Sequence, residues 1–180
     1  MHRLVVPGYR GSPAGHWQHD WLRRDPRAVL VDQEDFDRPD LALWLERLEM
    51  AVRARPGSLI VAHSLGCVLV AHLAARKPDL PVAGALLVAP ADVDRLVHRC
   101  SDFLGFAPVP RRPLPFPAIV VASRNDPYAA FDRAAGLADA WGAGLVDLGD
   151  AGHVNIASGH GHWPEGFVLA DGLTTARAAA

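Results

Sequence analysis

The sequence predicts a three-layer αβα domain built on a parallel sheet of about six strands. Three observations carry that expectation. Short apolar, β-branched runs recur at residues 4–6, 28–31, 59–62, 85–88, 119–122 and 145–148. Most of them are continuously hydrophobic rather than alternating, as strands covered on both faces are. The segments between them are long enough for crossover connections and in part carry helical period, which is the alternation of the α/β class.

Taken in order, the first run leads into a glycine-rich loop, Pro7-Gly8-Tyr9-Arg10-Gly11-Ser12-Pro13. The second run precedes the clearest helix, residues 40–55, where Leu41, Trp44, Leu45, Leu48 and Val52 form one apolar stripe. Asp40 is its N-cap and Pro56-Gly57 its stop. The third run passes directly into residues 65–76, which are apolar nearly all round and predict a buried helix. After the fourth run, the charged segment 91–101 reads as a short helix. The proline-rich segment 108–117 can be neither helix nor central strand, and reads as an extended surface connector. Helices at 131–141 and 167–179 flank the last strand.

A length of 180 residues predicts one domain spanning 1–180. Half the residues are hydrophobic and 21 % charged, an ordinary globular mix. A net charge of −2 and a pI near 6.5 argue against a nucleic-acid partner. Cys67 and Cys100 are far apart in no C-x-x-C pattern, which excludes a zinc knuckle or disulfide framework and suits a reducing compartment. No apolar stretch approaches the ~20 residues of a membrane helix, and the run in Met1 to Pro7 is too short for a signal peptide. A cytoplasmic protein with no membrane partner is expected.

The sharpest local signal is Ala62-His63-Ser64-Leu65-Gly66, at a strand-to-helix junction. It has the form of a nucleophile elbow, G-x-S-x-G, with Ala in the first glycine position. The turn is so tight that its flanks must be small, and it lifts the serine hydroxyl clear of the sheet. The following helix start offers the Leu65 N–H to an oxyanion. A serine that merely N-caps a core helix is the alternative. A nucleophilic serine needs a base, and the base an orienting acid, in the chain order Ser, Asp, His for this architecture. Asp126 follows the fifth run and His153 the sixth, where that pattern needs them. An Asp-Pro turn and a backbone-bonded loop histidine are the plainer readings of these two.

Asp92, after the fourth run, competes for the role of acid. His160 and His162 make an H-x-H pair, but no carboxylate or cysteine stands beside them at a ligand spacing, so no metal is assigned. His63 reads as a packed or rim residue, His72 and His98 as ordinary helix residues, and Cys67 as a small core residue. The second oxyanion donor is expected from the first loop, with the Tyr9 amide the candidate and Arg10 second. Trp17, Trp163 and Tyr128 are candidates to line a pocket, or to pack in the core.

Together, Pro7-Gly8-Tyr9, Ser12-Pro13, His16-Trp17, Trp21-Leu22, the elbow, Asn125-Asp126-Pro127-Tyr128, Gly152-His153-Val154-Asn155, Ser158-Gly159 and Trp163-Pro164 resemble the small α/β-hydrolase family of retinoblastoma-binding protein nine and its bacterial serine hydrolase relatives. The resemblance covers essentially the whole chain. It implies a Ser64-Asp126-His153 triad, a compact α/β-hydrolase fold, and strand order 2-1-3-4-5-6 with the elbow at the switch point. The family's name invites an L-x-C-x-E partner motif. Leu65-Gly66-Cys67-Val68-Leu69 lacks the glutamate and lies in a helix expected to be buried, so no protein partner is carried over. The expected activity is hydrolysis of small acyl esters or amides, with no metal or organic cofactor. The alternative is a non-catalytic binding module that retains the hydrolase fold.

Overall fold

The computed structural model describes residues 1–178, with side chains to residue 173. It places β1 (Arg3–Val6), β2 (Ala28–Leu30), β3 (Ser58–His63), β4 (Val82–Val88), β5 (Ala118–Ala122) and β6 (Gly144–Asp147) in one sheet. The order is β2-β1-β3-β4-β5-β6, and each neighbouring pair is parallel. Side chains alternate across it. Leu4, Val6, Ile60, Ala62, Ala85, Leu87 and Val120 pack toward α2 (Leu41–Ala54), α3 (Leu65–Arg76) and α5 (Phe131–Trp141). Leu59, Val61, Leu86, Val88 and Val121 face α1 (Trp17–Arg24) and α6 (Pro164–Ala178). The expected continuous burial holds for the inner strands. The edge strands β2 and β6 are partly exposed, Leu145 at 42 %, because each has a neighbour on one side only.

Local chemistry accounts for the helices. Asp40 Oδ1 accepts from the Ala42 and Leu43 amides, and α2 buries the five stripe residues. In α3, every residue from Leu65 to Ala74 is buried. The segment after β4 departs from expectation. Only Val93–Leu96 (α4) is α-helical, residues 97–99 form a turn that includes His98, and Ser101–Phe106 is a 3-10 helix. Residues 108–117 run as the expected extended connector, pinned where Val109 enters the core and where Trp141 Nε1 donates to the Pro110 carbonyl. The last helix starts at Pro164, ahead of the expected 167, and Ala179 lies outside the described residues.

Helix α1 is absent from the sequence reading, and it supplies two things. Trp17 and Trp21 are fully buried, in edge-to-face contact at 5.5 Å. Gln18 is also fully buried; its Nε2 donates to the carbonyls of Val6, the last residue of β1, and Val61, within β3, at 3.2 and 3.0 Å, and its Oε1 accepts from Ser12 Oγ at 2.6 Å. The amide thus ties β1 to β3, the two strands whose outgoing loops carry Tyr9 and Ser64. At the opposite end of the sheet, buried Arg3 pairs with Asp25 and Asp171. Replacing Gln18 by Leu removes its hydrogen bonds to the Val6 and Val61 carbonyls and to Ser12 Oγ, a total of about 1–3 kcal/mol at a net ~1 kcal/mol or less per bond. A destabilisation of that size in urea unfolding, with the fold retained, is the expected outcome for Gln18→Leu.

Candidate active site

Ser64 ends β3 and opens α3 with φ 55° and ψ −119°, a conformation that side chains rarely adopt. Its neighbours show why the flanks are small. A Cβ on Gly66 would lie 2.5 Å from the Val6 carbonyl oxygen and 2.7 Å from that of Pro7. The Ser64 amide donates to Val88 O at 3.0 Å, which holds the turn against β4. The hydroxyl does not cap α3. It lies 2.9 Å from His153 Nε2.

His153 sits on the loop after β6, and its Nδ1 is 2.9 and 3.0 Å from the two oxygens of Asp126, on the loop after β5. A carboxylate accepts, so Nδ1 carries the proton and Nε2 accepts from the Ser64 hydroxyl. Both side chains are buried, at 7 % and 3 % exposure. Asp126 also accepts from the Tyr128 amide at 2.8 Å, so the turn predicted from Asp-Pro is present as well. Asp92 does not compete. Its carboxylate is held by Arg133 at 3.1 Å.

The two loops are laced together by residues whose roles spacing alone did not expose. Asn125 Oδ1 accepts from the Gly152 amide at 2.6 Å and from Ser123 Oγ at 2.9 Å. The Ala151 amide donates to Ser123 Oγ at 3.0 Å. Val154 has φ 47°, unusual for a β-branched residue, and Trp17 Nε1 donates to its carbonyl at 2.8 Å. Asn125 and Val154 stand inside the quoted motifs, which was the available signal.

The loop after β1 closes on the elbow. A Cβ on Gly8 would be 2.9 Å from Ser64 Cβ and 3.0 Å from the Leu65 amide nitrogen. The Arg10 amide donates to Phe36 O at 2.9 Å and is thereby removed as an oxyanion donor. Neither the Tyr9 nor the Leu65 amide has an acceptor among the described residues.

Two further histidines pack behind His153. His63 is buried, its ring centroid 4.8 Å from that of His153, and its Nε2–H donates to the His153 carbonyl at 2.9 Å. Burial, then the charge of His153 and of His16, hold His63 well below the usual histidine range. His16 lies 4.9 Å from His63 and caps α1, with Nδ1 accepting from the Gln18 amide. Its proton therefore sits on Nε2, which has no acceptor among the described residues. Burial first, then the His153 charge, pushes His16 down to about 4.

The other candidates go elsewhere. His160 Nδ1 is 3.2 Å from Ser158 Oγ, whereas His162 Nδ1 pairs with Asp20 at 2.9 Å. No group of three metal-ligating side chains occurs among the described residues. Cys67 Sγ donates to Val88 O at 3.3 Å, and burial pushes the thiol up. His72, in α3, bonds the Phe106 carbonyl at 2.9 Å. Trp17 and Trp163 pack on each other at 5.2 Å, so of the three aromatic candidates only Tyr128 lines the cavity beside Ser64. That cavity measures about 620 Å³. No helix among the described residues is long and apolar enough to cross a membrane.

A serine at a strand–helix elbow, hydrogen-bonded through histidine to aspartate on this sheet, defines an α/β-hydrolase fold. The chain belongs to the serine hydrolase family, whose family model matches residues 3–171. It is similar to a YdeN-like hydrolase from Pectobacterium atrosepticum at 32 % identity and a TM-score of 0.86, covering 97 % of this chain and 91 % of that one. The ydeN gene product of B. subtilis is 22 % identical with a TM-score of 0.71, covering 97 % and 98 %. A thermophilic esterase of Thermogutta terrifontis, solved with butyrate bound, is 18 % identical with a TM-score of 0.68, covering 97 % and 82 %. No curated protein sequence matches the chain.

The buried histidines have a consequence for stability. Between about pH 6.5 and 4 the unfolded chain binds a proton at residue 16 that the folded chain refuses. The unfolded state then binds more protons, so stability falls as the pH falls, by ~3 kcal/mol for this group. His16→Asn keeps a cap acceptor without the titration. Urea unfolding at pH 7 and 4.5 is expected to show a distinctly smaller acid loss in His16→Asn than in the wild type.

Proposed function

We propose that this serine hydrolase cleaves small acyl esters or amides through an acyl-enzyme, with Ser64 as nucleophile, His153 as general base and acid, and Asp126 as the orienting acid. The hydrogen-bonded line Ser64 Oγ, His153 Nε2, His153 Nδ1, Asp126 carries the reading. Ser64 Oγ attacks the carbonyl carbon as its proton passes to His153 Nε2. Asp126 stabilises the imidazolium and keeps the Nδ1 tautomer. The tetrahedral oxyanion accepts from the Leu65 and Tyr9 amides. Its collapse expels the alkoxide or amine, which takes the proton from Nε2. Water, deprotonated by His153, then attacks the acyl-enzyme, and Ser64 leaves with the proton restored. None of these steps asks for a metal or an organic cofactor.

A cavity of about 620 Å³ suits a small substrate, and butyrate, bound by the T. terrifontis esterase, is of that size class. The narrower kinship with retinoblastoma-binding protein nine rests on the motifs quoted above. Two unpaired cysteines favour the cytoplasm. A binding module without turnover has less support, because an idle site has no need of a Ser–His–Asp line with its donors free.

Ser64→Ala is expected to abolish fluorophosphonate labelling and short-chain ester hydrolysis in a folded protein, and Asp126→Asn to lower kcat by about 10⁴-fold, as in the serine-protease precedent. Activity is expected to survive exhaustive chelation. Labelling that persists in Ser64→Ala, or activity that chelation removes and zinc restores, contradicts the assignment.

A further inference from the structure

The cavity beside Ser64 is electrostatically one-sided. The chain carries 20 Asp and Glu against 18 Lys and Arg, yet among the described residues no Asp or Glu lines this cavity, whereas Arg10 and Arg99 do. The triad acid is turned away behind His153, with its side chain 3 % exposed. Arg99 comes from the turn after α4, where its amide donates to the Leu96 carbonyl, and its guanidinium has no ion-pair or hydrogen-bond partner among the described residues. The acids flanking it in sequence have other partners: Asp102 accepts from Cys100 Sγ at 3.5 Å, Asp92 pairs with Arg133 and Arg95, and Asp94 with Arg133 and the Val109 amide. The Arg10 guanidinium, from the loop after β1, lies over the Tyr9 ring, 5.2 Å from its centroid, and makes a long contact to Asp37, 3.9 Å, with the Arg10 and Asp37 side chains more than 70 % exposed. His16, with its Nε2–H unpaired, belongs to the same lining. The remaining wall is mainly apolar, with Leu65, Val93, Leu96, Phe103 and Ile156.

We propose that the substrate carries an anionic group, a carboxylate or a phosphate, away from the scissile carbonyl, and that Arg99, assisted by Arg10, binds it. The proposal rests on the hydrolase reading above and names the substrate class of the same site. A guanidinium without a partner has donors to give, and the fork of an arginine matches both anions. The apolar wall fits the carbon chain between the charge and the reacting carbonyl. A cavity with positive charges and no acid also raises the local concentration of anionic substrates, an effect that salt weakens.

Two matched pairs of esters test this at neutral pH and low salt. One places the charge on the acyl side: 4-nitrophenyl hemiglutarate against its methyl ester. The other places it on the leaving group: 4-acetoxyphenylacetate against its methyl ester. The expected result is a kcat/KM about ten-fold higher for the charged member of at least one pair, the scale of a charge-assisted hydrogen bond made partly in water. That ratio should fall toward one in Arg99→Gln, fall in part in Arg10→Gln, and shrink as salt is added. A phosphate monoester analogue of the preferred pair separates carboxylate from general anion binding. Ratios of one or less in both pairs, or a preference that Arg99→Gln and salt leave intact, overturn the proposal. Turnover of the neutral esters that survives Ser64→Ala strikes instead at the hydrolase reading beneath it.

Discussion

The turn at Ser64 closes only because three chain segments come closer than side chains would permit. Val6 and Pro7 leave no room for a Cβ on Gly66, and the elbow itself leaves none on Gly8. These contacts place the ends of β1 and β3 and the start of α3 on one small patch. The positive φ of Ser64 is held by its amide bond to β4 and by the helix beginning behind it. Once that turn exists, the hydroxyl is presented above the sheet and the Leu65 amide points from the helix start beside it. The rest of the site is built to meet this point.

Parallel topology brings the other parts there. Strands that all run the same way deliver all their outgoing loops to one edge, so the loops after β1, β3, β5 and β6 converge although their residues are far apart in sequence. Convergence alone does not align two ring nitrogens with a hydroxyl. Asn125 and Ser123 bind the acid loop to the histidine loop. Trp17 holds the carbonyl of Val154, and His63 that of His153. The backing is made of groups kept neutral by burial, so it positions the imidazole without placing a second fixed charge beneath it.

Long apolar patterns were legible in the sequence, and short polar ones were not. The inner strands, α2 and α3 announce themselves because their buried faces are made of aliphatic residues in register with strand or helix geometry. Ser64, Asp126 and His153 were recognisable because each follows a strand in a fixed chain order. Helix α1 carries little local signal because it is eight residues long and starts at a histidine cap, and one of its three buried residues is a glutamine. Its burial depends on carbonyls of β1 and β3, contacts that no local window contains. The segment after β4 has the composition of one helix, but its charges and apolar residues are shared between α4, a turn and a 3-10 helix. His63 is the packed residue expected, but its bond to the His153 carbonyl spans 90 residues of chain and has no local signature.

A crystal structure of the enzyme after reaction with a small alkyl fluorophosphonate examines the elbow, the imidazole and the oxyanion donors at once. A phosphorus–oxygen bond to Ser64 is predicted, with the phosphoryl oxygen about 2.7–3.1 Å from the amide nitrogens of Leu65 and Tyr9 and with His153 still bonded to Asp126. Phosphorus attached to another residue, or a phosphoryl oxygen turned away from both amides, would contradict it.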